Sequence, residues 1–223
     1  ISLIVSGESH TFRSTNVSTG SGWAAFYLTE SNNNTITDCL ITSNETLGFA
    51  LRNSSSNHIS DSNAISNRSY AIYVYELSEN NTFTNTSATS YNDTAIFIYG
   101  VRKNSLDNVD GQSLQNGNGI SVSGGSFNNI TRSTARSSNQ YALYISGSNH
   151  SISDSTATGS AAIALQLSGA ENTIKGNTFI SNASIQNQIS SGRGNILHNN
   201  TFRTGDGNGT LIRLTDASRE NML

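Results

Sequence analysis

The chain has 223 residues, of which 12% are charged, and a formal net charge of -3. Such sparse charge excludes nucleic-acid binding through a basic patch. With no apolar run of transmembrane length and no leader pattern at the start, membrane insertion is not expected either. Asn, Ser and Thr abound and Pro is absent, a polarity that would suggest disorder were there no repeat.

The repeat opens with the short apolar run Ile1–Val5. The pattern Asn-x-(Ile/Leu/Phe) then recurs, its apolar residues being Ile36, Ile59, Phe83, Leu106, Ile130, Ile174, Leu197 and Leu223. Phe12 and Ile152 keep the phase, with His10 and His150 in the Asn position. The period is about 23 residues, a solenoid signature. Five residues past each mark runs a second small or apolar column: Val17, Ile41, Ala64, Ala88, Gly111, Ala135, Ala157, Phe179 and Phe202. A third signal, a small residue followed by apolar-x-apolar, begins at Ala25 and recurs at Gly48, Ala71, Ala95, Gly119, Ala142 and Ala162. Alternation with period two predicts short strands with one face inward, and no segment keeps a helical period. The reading is all-β: one parallel β-helix domain over 1–223, about nine coils of about 23 residues. The chain is read as a mature or excised piece, a fragment of a longer solenoid included.

The Asn column (Asn34, Asn57, Asn81, Asn104, Asn128, Asn172, Asn195 and Asn221) is predicted to form a structural ladder. Asn tolerates the left-handed backbone of a corner, and its amide can bond the next coil. A smaller polar column follows three residues past each mark, with Cys39 in it as a buried free thiol.

At these residues the chain resembles the right-handed parallel β-helix repeat family, of the carbohydrate-binding and sugar-hydrolase type that includes the nitrous-oxide-reductase maturation (NosD-like) proteins. Asn172-Thr173-Ile174-Lys175-Gly176-Asn177-Thr178-Phe179 carries the resemblance best. It implies a right-handed solenoid. It also points to archaeal surface-layer and sheath proteins on one side and to polysaccharide lyases, hydrolases and epimerases on the other.

Chemistry is sparse. Asp38 and Asp61, two residues past their marks on adjacent coils, could form a carboxylate pair or a Ca²⁺ site, against the plainer reading as solvated turn acids. The four His residues fall on separated coils, too far apart for one tetrahedral metal site. No cofactor is expected, and no catalytic residue is assigned. The middle residues of the apolar-x-apolar strands, Tyr27, Tyr73, Phe97 and Tyr144, are predicted to face outward, with Tyr75 and Tyr99 extending the stripe. Such a stripe could stack on sugar rings or pack against another chain. Asn-x-Ser/Thr sequons begin at Asn16, Asn33, Asn44, Asn53, Asn67, Asn80, Asn85, Asn92, Asn129, Asn149, Asn182, Asn199 and Asn208. They fit a glycosylated extracellular or cell-surface protein.

The reading that follows is a non-enzymatic structural protein, a sheath, S-layer or fibre subunit. It would self-assemble end to end through uncapped coils and laterally through the stripe. The alternative is a carbohydrate-binding or polysaccharide-processing module, a lyase or glycoside hydrolase if catalytic.

Overall fold

The structure is a computed structural model and describes residues 2–183, 187–190, 192–204, 212–214, 218–219 and 222. Among them there is no helix. Three strands per coil assemble three long parallel sheets, of ten, nine and nine strands. Each strand pairs with its counterpart one coil away, as in a parallel β-helix.

The register follows the repeat. Phe12 pairs with Ile36, Ile59 with Phe83, Leu106 with Ile130, and Ile174 with Leu197 in one nine-stranded sheet, here the mark sheet. Val17 pairs with Ile41 and Phe179 with Phe202 in the second sheet. Tyr27, Ala50, Tyr73, Phe97, Ser121 and Tyr144 are successive partners in the ten-stranded sheet, here the face sheet. A strand in a parallel ladder sends alternate side chains to opposite faces. Phe26, Leu28, Ile72, Val74, Ile96 and Ile98 are thereby buried in a narrow central core. Phe26 and Phe49 meet edge to face there, 5.3 Å between ring centroids.

The Asn ladder is a chain of buried bonds. The backbone N–H of Asn34 donates to Asn57 Oδ1 at 2.9 Å, that of Asn57 to Asn81 at 2.9 Å, and that of Asn81 to Asn104 at 3.0 Å. Each Nδ2 also donates to a carbonyl of the neighbouring coil, as Asn104 does to Ser78 O at 3.0 Å. The series continues through Asn128, Asn172 and Asn195, whereas Asn221 lies outside the described residues. The predicted cause needs correcting. The ladder Asn residues are not left-handed; the residue before each one is, as in Asn33 (φ 56), Ser56 (φ 58), Asn80 (φ 56) and Lys103 (φ 59). The amide is selected by its two-sided bonding, and the strain sits one position earlier.

His150 replaces Asn in this ladder. Its Nδ1 accepts the Asn128 N–H at 3.2 Å, and Nε2 lies 3.2 Å from Ser146 O. This fixes a neutral ring protonated on Nε2, because Nδ1 must accept. Burial lowers the pKa of the ring below the usual histidine value. The second polar column forms a similar ladder, with the Ser155 N–H on Asn177 Oδ1 and the Asn177 N–H on Asn200 Oδ1, both at 2.9 Å. Cys39 is a buried free thiol in that column.

Candidate functional site

The chemistry-bearing groups gather on the outer side of the face sheet and at the corner that leads into it. That corner is built by serines ending the strands of the preceding sheet. Ser90 Oγ accepts the Asp93 N–H at 2.9 Å, Ser113 Oγ the Gly117 N–H at 3.0 Å, and Ser137 Oγ the Gln140 N–H at 3.0 Å. One buried hydroxyl per coil thus sets the turn that carries Asp93, Asn118 and Gln140. Gly117 packs directly on the turn below: a Cβ there would come within 2.0 Å of the Asp93 carbonyl carbon.

The stripe of aromatic residues is present, but it is not a simple exposed row. Tyr27, Tyr73, Phe97 and Tyr144 are half-buried, Tyr99 is exposed, and Tyr75 is buried. Tyr75 is covered because it stacks on Tyr73, with centroids 4.4 Å apart and planes 3° from parallel. Tyr73 in turn stacks on Phe97 at 5.4 Å. Three further rings complete the face. Trp23 lies 4.6 Å from Tyr27, Tyr70 lies 5.0 Å from Phe97, and Tyr141 lies 5.6 Å from Tyr144. Trp23 precedes its strand, whereas Tyr70 and Tyr141 share a column three residues before the stripe in which Leu47, Thr94 and Asn118 stand on other coils, so the column is aromatic on only some coils. A signal existed in the recurrence of Tyr70/Tyr73 and Tyr141/Tyr144, two tyrosines three apart.

Two small residues interrupt the stripe, Ala50 between Tyr27 and Tyr73 and Ser121 between Phe97 and Tyr144. The first gap is sealed. Ala50 forms a small outer cluster with Ala24 and Leu47, covered by Tyr27, Tyr70 and Tyr73. The second gap is covered at its floor, with Ser121 buried, and opens only further out. A cleft of about 300 Å³ lies above Ser121, walled by Tyr70 and Phe97 on one side and Tyr141 and Tyr144 on the other. Thr94, Asn118, Ser123 and Gln140 supply its polar lining. Asn118 Oδ1 accepts the Tyr141 N–H at 3.1 Å, and Thr94 Oγ1 accepts the Asn118 N–H at 3.1 Å.

Asp93 adjoins the cleft. Its Oδ1 accepts the Thr94 N–H at 2.7 Å, and partial burial raises its pKa above the usual carboxylate value despite that bond. Tyr70 is raised first by burial and then by the Asp93 charge. At the other end of the stripe, Arg52 Nε is 2.7 Å from Glu76 Oε2, and hydrogen bonds to Glu76 and Tyr27 raise its pKa. This gathering was missed in the sequence because Asp93 belongs to a turn and has no partner column.

The sequence-derived acids lie elsewhere. Asp38 (φ 54) and Asp61 (φ 50) occupy the left-handed corner after the mark strand, where Asn85 (φ 50), Asn108 (φ 52) and Arg132 (φ 48) sit on later coils. Asp61 Oδ1 accepts from Asn85 Nδ2 at 3.1 Å. Among the described residues no group of three or more His, Cys, Asp or Glu is arranged to hold a metal ion. Of the sequon residues, Asn16, Asn33, Asn44, Asn67, Asn80, Asn85, Asn92, Asn182 and Asn199 are exposed, and Asn53, Asn129 and Asn149 are half-buried. Asn208 lies outside the described residues. The Asn67 amide already donates to Asn44 Oδ1 at 2.8 Å.

A family model described as the right handed beta helix region matches residues 2–110 and 94–222. This chain belongs to that right-handed β-helix family. Among solved structures it is similar to a DFA-IIIase from Arthrobacter chlorophenolicus A6, without its lid and in complex with GF2, at TM-score 0.69 and 11% identity, covering 89% of this chain and 54% of that one. The same enzyme in complex with DFA-III matches at TM-score 0.69 and 11% identity, over 96% of this chain and 64% of that one. The A-module of the mannuronan C-5 epimerase AlgE6 from Azotobacter vinelandii matches at TM-score 0.63 and 12% identity, over 98% of this chain and 75% of that one. The chain thus spans little more than half the length of the first of these, and at such identities the likeness shows the fold alone. No curated protein matches the chain.

These neighbours correct the functional expectation. The chain was expected to be non-enzymatic; the solved structures it resembles are carbohydrate-acting enzymes, which overturns that reading.

Proposed function

We propose that this β-helix is a carbohydrate-processing module that holds its saccharide against the aromatic side of the face sheet. The observation that carries the reading is the set of stacked and tilted rings running from Trp23 to Tyr144 beside amide and hydroxyl groups. A sugar ring presents C–H groups on its faces and hydroxyls around its edge. Aromatic faces bury the former, and side chains such as those of Asn118 and Gln140 can bond the latter. Asp93, nearest the cleft and shifted upward by burial, is the carboxyl group best suited to exchange a proton with a bound sugar.

The single Trp of the chain, Trp23, sits on this face and reports on it. Titration with a panel of neutral and acidic oligosaccharides should change its emission, and product analysis of the same mixtures should reveal the processed member. Tyr73→Ala should weaken the response. A panel that neither alters the emission nor yields any product would remove the carbohydrate reading.

A further inference from the structure

The cleft outward of the buried Ser121 has a width set by the strand spacing. Phe97 and Tyr144 are partners of Ser121 on the two flanking strands. Adjacent strands are about 4.8 Å apart, so the two flanking columns are separated by roughly 9.6 Å. A ring of atoms touching an aromatic face on each side needs about 4 Å per contact, or about 8 Å in all. The remainder accommodates the pucker of one saturated ring, and the gap is too narrow for two. Tyr70 and Tyr141 widen the walls, with ring centroids 5.0 Å from Phe97 and 5.6 Å from Tyr144.

The lining selects by charge as well as by thickness. Among the described residues that line the cleft, none is charged. At its edge stands the carboxylate of Asp93, which acts electrostatically on the Tyr70 wall. A carboxylate-bearing sugar would enter without a cation to receive it and with an acid beside it, a repulsive arrangement. Two cations on this face stand away from the cleft: Arg52, at the far end of the stripe, is paired with Glu76, and Arg213 lies in the stripe's own column three coils beyond Tyr144.

We infer that the cleft over Ser121 is a subsite for a single neutral sugar ring, sandwiched between the Tyr70–Phe97 and Tyr141–Tyr144 walls, and that it discriminates against uronic acids. This rests on the carbohydrate reading above and narrows its substrate to a neutral saccharide. Ser121, buried at the floor, leaves the space beyond it unfilled because it is small: its column holds Phe and Tyr on the two sides, so the backbone there already accepts an aromatic residue. Gln140, exposed at the rim, offers its amide to the sugar edge.

The test measures binding by calorimetry and ligand-observed NMR, using inulin-, xylan- and cellulose-derived oligosaccharides against oligomannuronate and oligogalacturonate. The expected result is binding of a neutral oligosaccharide, weakened roughly tenfold or more in Ser121→Tyr, which fills the gap. Gln140→Ala, a surface change that leaves the fold intact, should weaken the same ligand by a smaller factor. Asp38→Asn, at the left-handed corner after the mark sheet and away from the face, should leave it nearly unchanged. Tighter binding of the uronates, or neutral binding insensitive to both Ser121→Tyr and Gln140→Ala, would overturn the subsite while leaving the carbohydrate reading standing. Failure of every saccharide to bind or react would overturn both.

Discussion

The two gaps in the aromatic stripe begin from the same accident, a small residue where the column calls for a ring, and end as different objects. At Ala50 the strand opens on Leu47, and Tyr27, Tyr70 and Tyr73 close over both in a dry outer cluster. At Ser121 the position equivalent to Leu47 is Asn118, which bonds the Tyr141 backbone and holds its coil's edge polar. Apolar filling makes the first gap a second, exterior core. Polar filling leaves the second as a cleft of about 300 Å³. Identical backbone geometry therefore sets the opportunity, and the chemistry of one turn residue decides whether it becomes packing or a binding surface.

The largest effect should come from breaking the frame that both gaps share. Asn104→Leu leaves the buried Asn81 N–H and the Ser78 carbonyl without their amide partner. It should lower stability by about 2–3 kcal/mol, read as a shifted denaturant midpoint. Leu47→Asn attacks the first gap alone by giving it the chemistry of the second. The cost should be about 2 kcal/mol of lost burial, with the fluorescence of Trp23 red-shifted as the Tyr27 contact loosens. Gly117→Ala attacks the second gap alone, since its Cβ would intrude on the Asp93–Thr94 backbone. We expect a loss of about 1–2 kcal/mol together with weaker saccharide binding, whereas unaltered stability and binding would show that the turn can shift without affecting the cleft.

The smallest effect distinguishes the ladder's one histidine. His150 has a pKa lowered by burial, so between that value and the ordinary histidine value the unfolded chain binds the extra proton and the folded chain does not. Its stabilising contribution is complete above about pH 6.5 and declines as the pH falls below it. His150→Asn restores the regular amide and should flatten the pH dependence of thermal stability across that range.

The coils were legible in the sequence because three columns share one phase, and an inward strand position tolerates only a few side chains. The registers Phe12–Ile36 and Phe179–Phe202 follow directly from that counting. The left-handed residues were not, because side-chain bonding by Asn34 and its equivalents hides a strain carried by Asn33 or Lys103. The face of the site was half legible: Tyr27, Tyr73 and Phe97 stand in a column, whereas Trp23 and Asp93 stand in turns and Tyr70 stands in a column that is aromatic on only some coils. A cleft made by the absence of a ring at Ser121 has no sequence signature until the neighbouring coils are stacked.

The buried amide ladder also has a kinetic meaning. Its backbone N–H bonds join residues 22, 23 or 24 positions apart, and its amide bonds reach back to the other neighbour, so every coil is held by the coils on either side of it. Order can therefore spread like a zipper, each new turn finding its template already in place. Loosening follows the same rule in reverse, with backbone amides exchanging their hydrogens in graded succession toward the middle of the rod. The Ser121 cleft, bracketed by coils on both sides, is placed where such peeling arrives late.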